Sequence, residues 1–509
     1  MKKFTCLLAL SILLFAGCEK ELELNEEIAV YDYDSLDENA GAWDPVYLGK
    51  ASDIPLAAPL ASSTPEYKAE VDALKKAGEN LTQEQQNAIQ FWGANPLVRW
   101  NEIARGLVAK YNLPPAANPD GTYPVPSAAN PGAYPNFPFA NPPYASRAYA
   151  YWSAAQFDAL VVAWKYKKDY NRVAPYVADP SLKTALPKVN LPSYPSEDAV
   201  IAAVSREILT FMFPLEAAFL KKMAEEQVSV RTWAGMNVRS DLEAGEAIGK
   251  AVAALFLTRA RTDNMGRAVG NQAIWDSLAN IAIQKYGWQW QSQESPKRPG
   301  MLTGFGQVKP WCVPNIEAVR PGPPPALNSP QFQAAMEELK KLDKNLTTEQ
   351  RRIANYWGDG VSTYTPPGHW NKIASEIIIE KRLNPIRTAR TYAYLNMSLM
   401  DAGISCWDTK YFYYYPRPSQ AIPGFKSILG LPNFPSYTSG HSTFSAAAAT
   451  VLGHIFPDKA AEMDRMAREA SESRIYGGIH YRFDCEVGLA VGRKIGDYSV
   501  VVARVDGAE

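Results

Sequence analysis

An all-α fold of two tandem helix bundles is predicted by two observations. The chain repeats itself, and the repeated stretches are long, Ala-rich and apolar at helical rather than alternating spacing. NLTQEQQNAIQFWG (80–93) returns as NLTTEQRRIANYWG (345–358), and WNEIA at 100 returns as WNKIA at 370. From Ala148 to Lys250 the halves align without a gap at a constant offset of 243 residues, so Asp158 lies over Asp401, Trp164 over Trp407 and Lys167 over Lys410. Chance does not hold a register for about a hundred residues. The halves therefore read as copies, each expected to form four to six helices.

The elements follow in order. Residues 1–17 (MKKFTCLLALSILLFAG) combine two lysines, an apolar run and small residues, the pattern of a secretion signal. LFAGC resembles the lipobox of bacterial lipoproteins with Phe15 in place of the usual Leu, which implies cleavage before Cys18 and a lipid on it. The expected location is the bacterial envelope, with membrane contact only through that anchor. Residues 18–70 are polar and acidic and are expected to be a tether. The first bundle is placed at 71–260, a connecting segment at 261–330 and the second bundle at 331–509. Thr82 and Gln85, like Thr347 and Gln350, form capping-box patterns that start a helix. The copies differ most between Trp100 and Arg147, where a proline-dense insert (LPPAANPDGTYPVPSAANPGAYPNFPFANPP) forbids helix and reads as a long ordered loop.

Bulk properties narrow the function. Across 509 residues, 47% are apolar and 21% charged, as in ordinary globular proteins. A net charge of −1 leaves no excess of cations to neutralise a nucleic-acid backbone. No later stretch is apolar for the roughly 18 residues that a membrane helix needs. Beyond Cys18 only Cys312, Cys406 and Cys485 remain, too few and odd in number for a disulfide framework.

Three stretches of the second copy carry chemistry. KYFYYYPRP sets Lys410 seven residues before Arg417, a shared helix face that Pro416 must end near Tyr415. TSGH places Ser439, Gly440 and His441 at an expected helix start, and SRIYGGIHYRFD spaces Arg474, His480 and Asp484. Each alone has an ordinary structural explanation. Together, three cations can surround the equatorial oxygens of a tetrahedral oxyanion, with the Gly440 N–H and the Ser439 hydroxyl adding donors at a helix N-terminus. Two histidines can flank the anion, one bonding its central atom and the other handling a proton. The chain has only four histidines; His369 and His454 lack such company and are expected to be structural.

The pattern K-x(6)-R-P, S-G-H and S-R-x(5)-H-x(3)-D resembles the signature of the superfamily of type 2 phosphatidic acid phosphatases and vanadium haloperoxidases, with Thr438 where the middle motif usually has Pro. The resemblance implies that Lys410, Arg417, Ser439, Gly440 and Arg474 hold the oxyanion. It makes His480 the nucleophile of a phosphatase or the protein ligand of vanadium, His441 the proton donor, and Asp484 the partner that orients His480. Phe434, five residues before Ser439, stands where chloroperoxidases have an aromatic beside the halide.

The first copy lacks this chemistry. Opposite FPSYTSGHST (434–443) stands LPSYPSEDAV (191–200), and Arg417, Gly440, His441 and His480 are replaced by Ala174, Glu197, Asp198 and Asn237. Lys167, Ser196 and Arg231 remain. Two cations facing an emptied pocket repel each other, so Asp198, with Glu197, is expected to pair with Lys167 or Arg231 within about 4 Å. Asp401 and Asp484 have counterparts in the inactive copy, Asp158 and Asp241, which favours structural duties for them.

The leading reading is a vanadium-dependent haloperoxidase that oxidises halide with hydrogen peroxide on bound vanadate. The alternative is a phosphomonoesterase working through a phosphohistidine at His480 without a cofactor. A third reading, a non-catalytic glycan-binding lipoprotein, rests only on an aromatic content of 11%.

Overall fold

The computed structural model describes residues 22, 24–113, 118–120 and 141–509. The signal segment 1–17, the lipidation candidate Cys18 and most of the proline-dense insert lie outside the described residues. Seventeen α-helices and no strands are present among the described residues. The first half contains α1 (Pro65–Ala77), α2 (Gln83–Gly93), α3 (Pro96–Tyr111), α4 (Pro142–Tyr170), α5 (Pro175–Ala178), α6 (Glu197–Met212), α7 (Ala217–Trp233) and α8 (Arg239–Arg261). After α9 (Gln272–Tyr286) the second half contains α10 (Pro330–Asn345), α11 (Thr348–Tyr356), α12 (Thr365–Glu380), α13 (Pro385–Tyr413) and α14 (Pro418–Ala421). It ends with α15 (Gly440–Ile455), α16 (Ala460–Tyr476) and α17 (Arg482–Ala503).

Each half thus has eight helices rather than four to six, the surplus being short, peripheral or proline-bounded pieces such as α1 and α5. From α4 onward the helices of the second half start 243 residues after those of the first. Their starts have local causes. Asn141 and Asn384 cap α4 and α13, each followed by proline, whose fixed φ suits the first helical turn and whose missing N–H costs nothing there. Thr82 with Gln85, and Thr347 with Gln350, form both reciprocal bonds of a capping box.

The two 29-residue helices α4 and α13 pack on each other at the centre of the molecule, and one apolar core runs through both halves. Residues matched between the copies meet between the halves, at the α3–α12 and α4–α13 contacts. Asn101 Nδ2 donates to Asn371 Oδ1 at 2.8 Å, and Asn396 Nδ2 to Ser153 Oγ at 3.3 Å. Such self-complementary contacts belong to a two-fold-like packing. Trp152, Trp164 and Trp407 are wholly buried along it.

The stretch expected to be a tether is, from residue 24, a packed strap over the first bundle, with Ile28, Trp43 and Leu48 buried. The Asp158 carboxylate accepts the N–H groups of Val46, Tyr47 and Leu48, and Trp164 Nε1 donates to Leu36 O. Residues 288–325 do the same over the second bundle. Asp401 accepts from Trp311, Cys312 and Val313, and Trp407 Nε1 donates to Met301 O. The matched aspartates and tryptophans therefore survive in both copies because both copies must hold a strap. Cys312, Cys406 and Cys485 are free thiols. None of the described helices is long and apolar enough to cross a membrane.

Candidate active site

Most of the chemical positions lie at helix termini. Lys410 is in the last turn of α13, which ends at Tyr413 with Tyr414 in the left-handed region (φ 52°), so Arg417 is not on that helix. Pro416 and Pro418 break the backbone, and Arg417 instead caps the four-residue α14. Ser439 caps α15, its Oγ accepting from Ser442 N–H at 3.3 Å, and Gly440 and His441 open that helix. Arg474 lies in the last turn of α16, and His480 precedes α17. Tertiary packing of α13, α15, α16 and α17 brings these ends together.

His480 is 2% exposed, and its two ring nitrogens have opposite partners. Nδ1 lies 2.9 Å from Asp484 Oδ2, and Nε2 lies 3.0 Å from Arg417 Nη1. A carboxylate requires a donor and a guanidinium an acceptor, so Nδ1 carries the proton and Nε2 presents its lone pair. Burial, with the charges of Arg417, Lys410 and Arg474, holds His480 well below the usual imidazole range. Both the burial and the neighbouring cations therefore favour the neutral ring. Burial pushes Asp484 up to about 6, against the hydrogen bond from the Ser436 hydroxyl. The same Oδ2 accepts the Tyr481 N–H, capping α17. In the first copy Asp241 caps α8 through the Val238 N–H and meets Asn237 Nδ2 at 3.4 Å. Asp484 thus does both things, and the structural half of the role explains its survival opposite Asn237.

Arg417 gives Nε to Phe434 O (3.0 Å) and Nη1 to Ile479 O (2.8 Å); its buried Nη2 has no hydrogen-bond partner among the described residues. A buried, unpaired guanidinium donor is costly unless a ligand completes it. An added Cβ at Gly440 would find only Phe444, at 4.0 Å, so the start of α15 is open where an anion would approach. Burial draws Arg417 and Arg474 each down to about 10 and Lys410 down to about 7.

Two expected contacts take a different form. The Lys410 ammonium is spent on the loop, donating to the carbonyls of Pro435, Ser436 and Thr438. Arg474 donates through Nη2 to Trp357 O and Ala354 O and through Nε to Ser473 Oγ. Phe434 is wedged against Trp407, with ring centroids 4.8 Å apart. The Lys410 and Arg417 cations each lie 5.1 Å from its ring centre.

Sequence reasoning missed Asp359, which lies between His369 and His441. Asp359 Oδ1 and Oδ2 lie 3.0 and 3.2 Å from His369 Nδ1, and Oδ2 lies 3.5 Å from His441 Nε2. Against the pull of burial, the two histidines hold Asp359 well below the carboxylate range. Burial, with Arg474, draws His441 down to about 4 while Asp359 pulls it up. Trp357 stacks on His369 at 4.5 Å. A signal existed: the first copy has Ala94 after FWG and Arg99 before Trp100, where the second has Asp359 after YWG and His369 before Trp370.

In the first copy both retained cations are paired with carboxylates, as expected from the sequence. Lys167 Nζ meets Glu197 Oε2 at 2.8 Å, and Arg231 Nε meets Asp198 Oδ2 at 3.1 Å. Lys167 also donates to Pro192 O, the counterpart of Pro435 O.

The chain resembles the non-specific acid phosphatases of Salmonella typhi (30% identity) and Salmonella typhimurium strain LT2 (29%), each over 122 residues and 23% of this chain. The chain spans about half the length of these relatives, 48% in each case. Among solved structures, a bacterial vanadium-dependent iodoperoxidase superposes with a TM-score of 0.57 at 24% identity, over 71% of this chain and 91% of its own. A holo-type bacterial vanadium-dependent chloroperoxidase gives 0.51 at 13% identity over 75% and 97%. The PAP2 superfamily model matches residues 391–502. These residues contain Lys410, Arg417, the Ser439–His441 turn, Arg474 and the His480–Asp484 pair, so the part of the chain that carries the candidate site is the part that matches the PAP2 superfamily.

Proposed function

We propose that the second bundle binds a tetrahedral oxyanion with His480 Nε2 against its central atom, and that with vanadate it is a haloperoxidase consuming hydrogen peroxide and halide. The observation that carries the reading is the neutral, Asp484-oriented His480 beside Arg417, whose Nη2 is partnerless, together with the open face of Gly440. These are a lone pair, a cationic donor and room. The residues fit vanadate, which is a tetrahedral anion with a central atom that accepts nitrogen ligation. When bound, it supplies activation of peroxide toward halide. The protein residues supply the rest. Arg417, Arg474 and the Gly440 N–H hold oxygens, and His480 keeps its proton on Nδ1 and its lone pair on the site. His441, next to Asp359, donates and accepts a proton on the opposite side. Phe434, pressed between Trp407 and two cations, offers a dry, positive-edged wall for halide. The two-bundle frame favours this reading, since it spans nearly the whole of the haloperoxidase folds.

The second reading, a phosphomonoesterase through a phosphohistidine at His480, is favoured by the 30% identity to an acid phosphatase over 122 residues. Here His441 protonates the leaving oxygen. The deciding experiment sets iodide and bromide oxidation with vanadate and peroxide against hydrolysis of a generic phosphomonoester without vanadate. Phosphate should suppress the first by competition, and vanadate should inhibit the second as a transition-state mimic. Indifference to both anions sinks the shared oxyanion site.

The LFAGC stretch supports a lipid on Cys18 and an envelope location. Metabolic labelling with a radioactive fatty acid, lost on Cys18→Ala, tests it.

A further inference from the structure

The loop from Trp357 to Tyr364, which carries Asp359, is held by the other bundle. Asn112, just past α3 and 4% exposed, donates through Nδ2 to Gly360 O at 2.8 Å and to Thr363 O at 2.9 Å. Its own carbonyl accepts the Ser362 N–H at 2.8 Å. Both side-chain hydrogens and the main-chain oxygen of one residue are therefore committed to this loop. Tyr149, on α4 of the first bundle, adds a long bond from its hydroxyl to Tyr364 O at 3.5 Å.

The loop needs this support. Asp359 (φ 44°) and Ser362 (φ 62°) in the loop, and Thr365 (φ 67°) where α12 begins, stand in the left-handed region without being glycine, a set of conformations that persists only when the surroundings over-determine it. The segment also belongs to one copy alone. The copies are offset by 265 residues at Trp92 and Trp357 but by 270 at Trp100 and Trp370, so the second copy carries five extra residues between those tryptophans. The insertion that brings Asp359 to His441 is the stretch that Asn112 grips.

We propose that Asn112 is a positioning residue for the active site: the first bundle, without chemistry of its own, fixes the 357–364 loop so that the Asp359 carboxylate stays beside His441, 3.5 Å from its Nε2. The proposal rests on the reading of His441 as the proton-handling residue. With the clasp gone, Asp359 drifts and His441 loses both its orientation and the carboxylate that supports its protonated form. Among the described residues Arg474 reaches this loop only at its first residue, Trp357 O, and Arg417 and His480 are held by Phe434, Ile479 and Asp484 instead.

The test is a double-mutant cycle in the full chain, using whichever of the two reactions the wild type runs. Asn112→Asp keeps the shape but turns two donors into acceptors facing two carbonyls; Asn112→Ala is the second variant. Each is expected to lower kcat on the order of tenfold, with the dissociation constant of inorganic phosphate unchanged. In a His441→Ala background neither should lower kcat further, because the effect runs through the histidine. Hydrogen exchange should rise in 357–364 and stay unchanged in 410–484. An equal loss with or without His441, a parallel loss of phosphate binding, or a loop that stays protected overturns the clasp. A His441→Ala variant with full activity overturns instead the reading of His441 on which the proposal rests.

Discussion

Asp198→Ala would strand the Arg231 guanidinium in the closed site of the first bundle. The Arg231 and Asp198 side chains are 15% and 7% exposed and meet at 3.1 Å; Asp198 Oδ1 also accepts from Gln227 Nε2 at 3.2 Å. Removing one member of a buried pair costs about 3–5 kcal/mol, because the other charge stays out of water without a partner. Arg231 keeps the Asn237 Oδ1 contact at 3.0 Å and some exposure, so the low end, about 3 kcal/mol, is expected. Glu197→Ala exposes a deeper cation, since Lys167 is 3% exposed, and should cost as much or more. The double variant Glu197→Gly with Asp198→Ala leaves two cations beside a cavity of about 250 Å³ that Tyr31, Tyr33 and Arg231 help to line. That pocket then keeps the counterparts of Lys410 and Arg474 but lacks those of Arg417 and the two histidines, and inorganic phosphate should bind it through the two freed cations. A bound anion stabilises by about 2.7 kcal/mol at a hundred times its dissociation constant.

The assay is urea unfolding of each variant in chloride and in phosphate at matched ionic strength, with enzyme activity measured in parallel. Asp198→Ala should lose about 3 kcal/mol in chloride with activity intact, and the double variant should gain stability in phosphate beyond any gain in the wild type. A loss below about 1 kcal/mol, typical of an exposed pair, would refute the view that these carboxylates replace an anion.

His480→Ala should abolish either reaction, by more than about a hundredfold, since the other groups around the anion only position it and none bonds its central atom; a variant retaining most of its rate rejects the assignment. Asp484→Asn should keep the α17 cap yet lower kcat, because an amide offers His480 a weaker partner; an unchanged rate would leave Asp484 a purely structural role. Burial holds Lys410 down to about 7, so above about pH 7 the free site loses a cation and phosphate affinity should fall roughly tenfold per pH unit. Calorimetry from about pH 6 to about pH 9 reads this directly, and a flat profile contradicts it.

Much of the fold was legible because the two copies report on each other. The 243-residue register read from the letters reappears in the starts of five pairs of helices. Local rules were enough for the capping boxes and for the proline break before Arg417. The straps were not legible. Residues 24–60 look polar, and the burial of Trp43 and Leu48 depends on where Asp158 stands in the folded bundle, which no local pattern encodes. The Ser439–His441 turn and the His480–Asp484 pair were legible by motif. Asp359 was passed over because His441, which it faces, lies about eighty residues away in sequence and the loop that carries it has no local signature.

The direct role of Lys410 is best understood through the inactive copy. In the second bundle its ammonium hydrogens go to three loop carbonyls, which leaves none for an oxyanion. In the first bundle Lys167 keeps one equivalent carbonyl, Pro192 O, and turns to the Glu197 carboxylate, which stands where Gly440 leaves open space. On the proposed function, the Lys167–Glu197 pair marks how Lys410 would meet a bound anion. Lys410 would keep Pro435 O, release Ser436 or Thr438 O and swing onto the ligand. The exchange of a neutral carbonyl for an anion strengthens that bond and raises the lysine's proton affinity at once. Anion binding at a pH above about 7 should then take up a proton. Calorimetric enthalpies measured in buffers of different ionisation heat would reveal it, and a binding enthalpy independent of the buffer would mean that Lys410 stays on its three carbonyls.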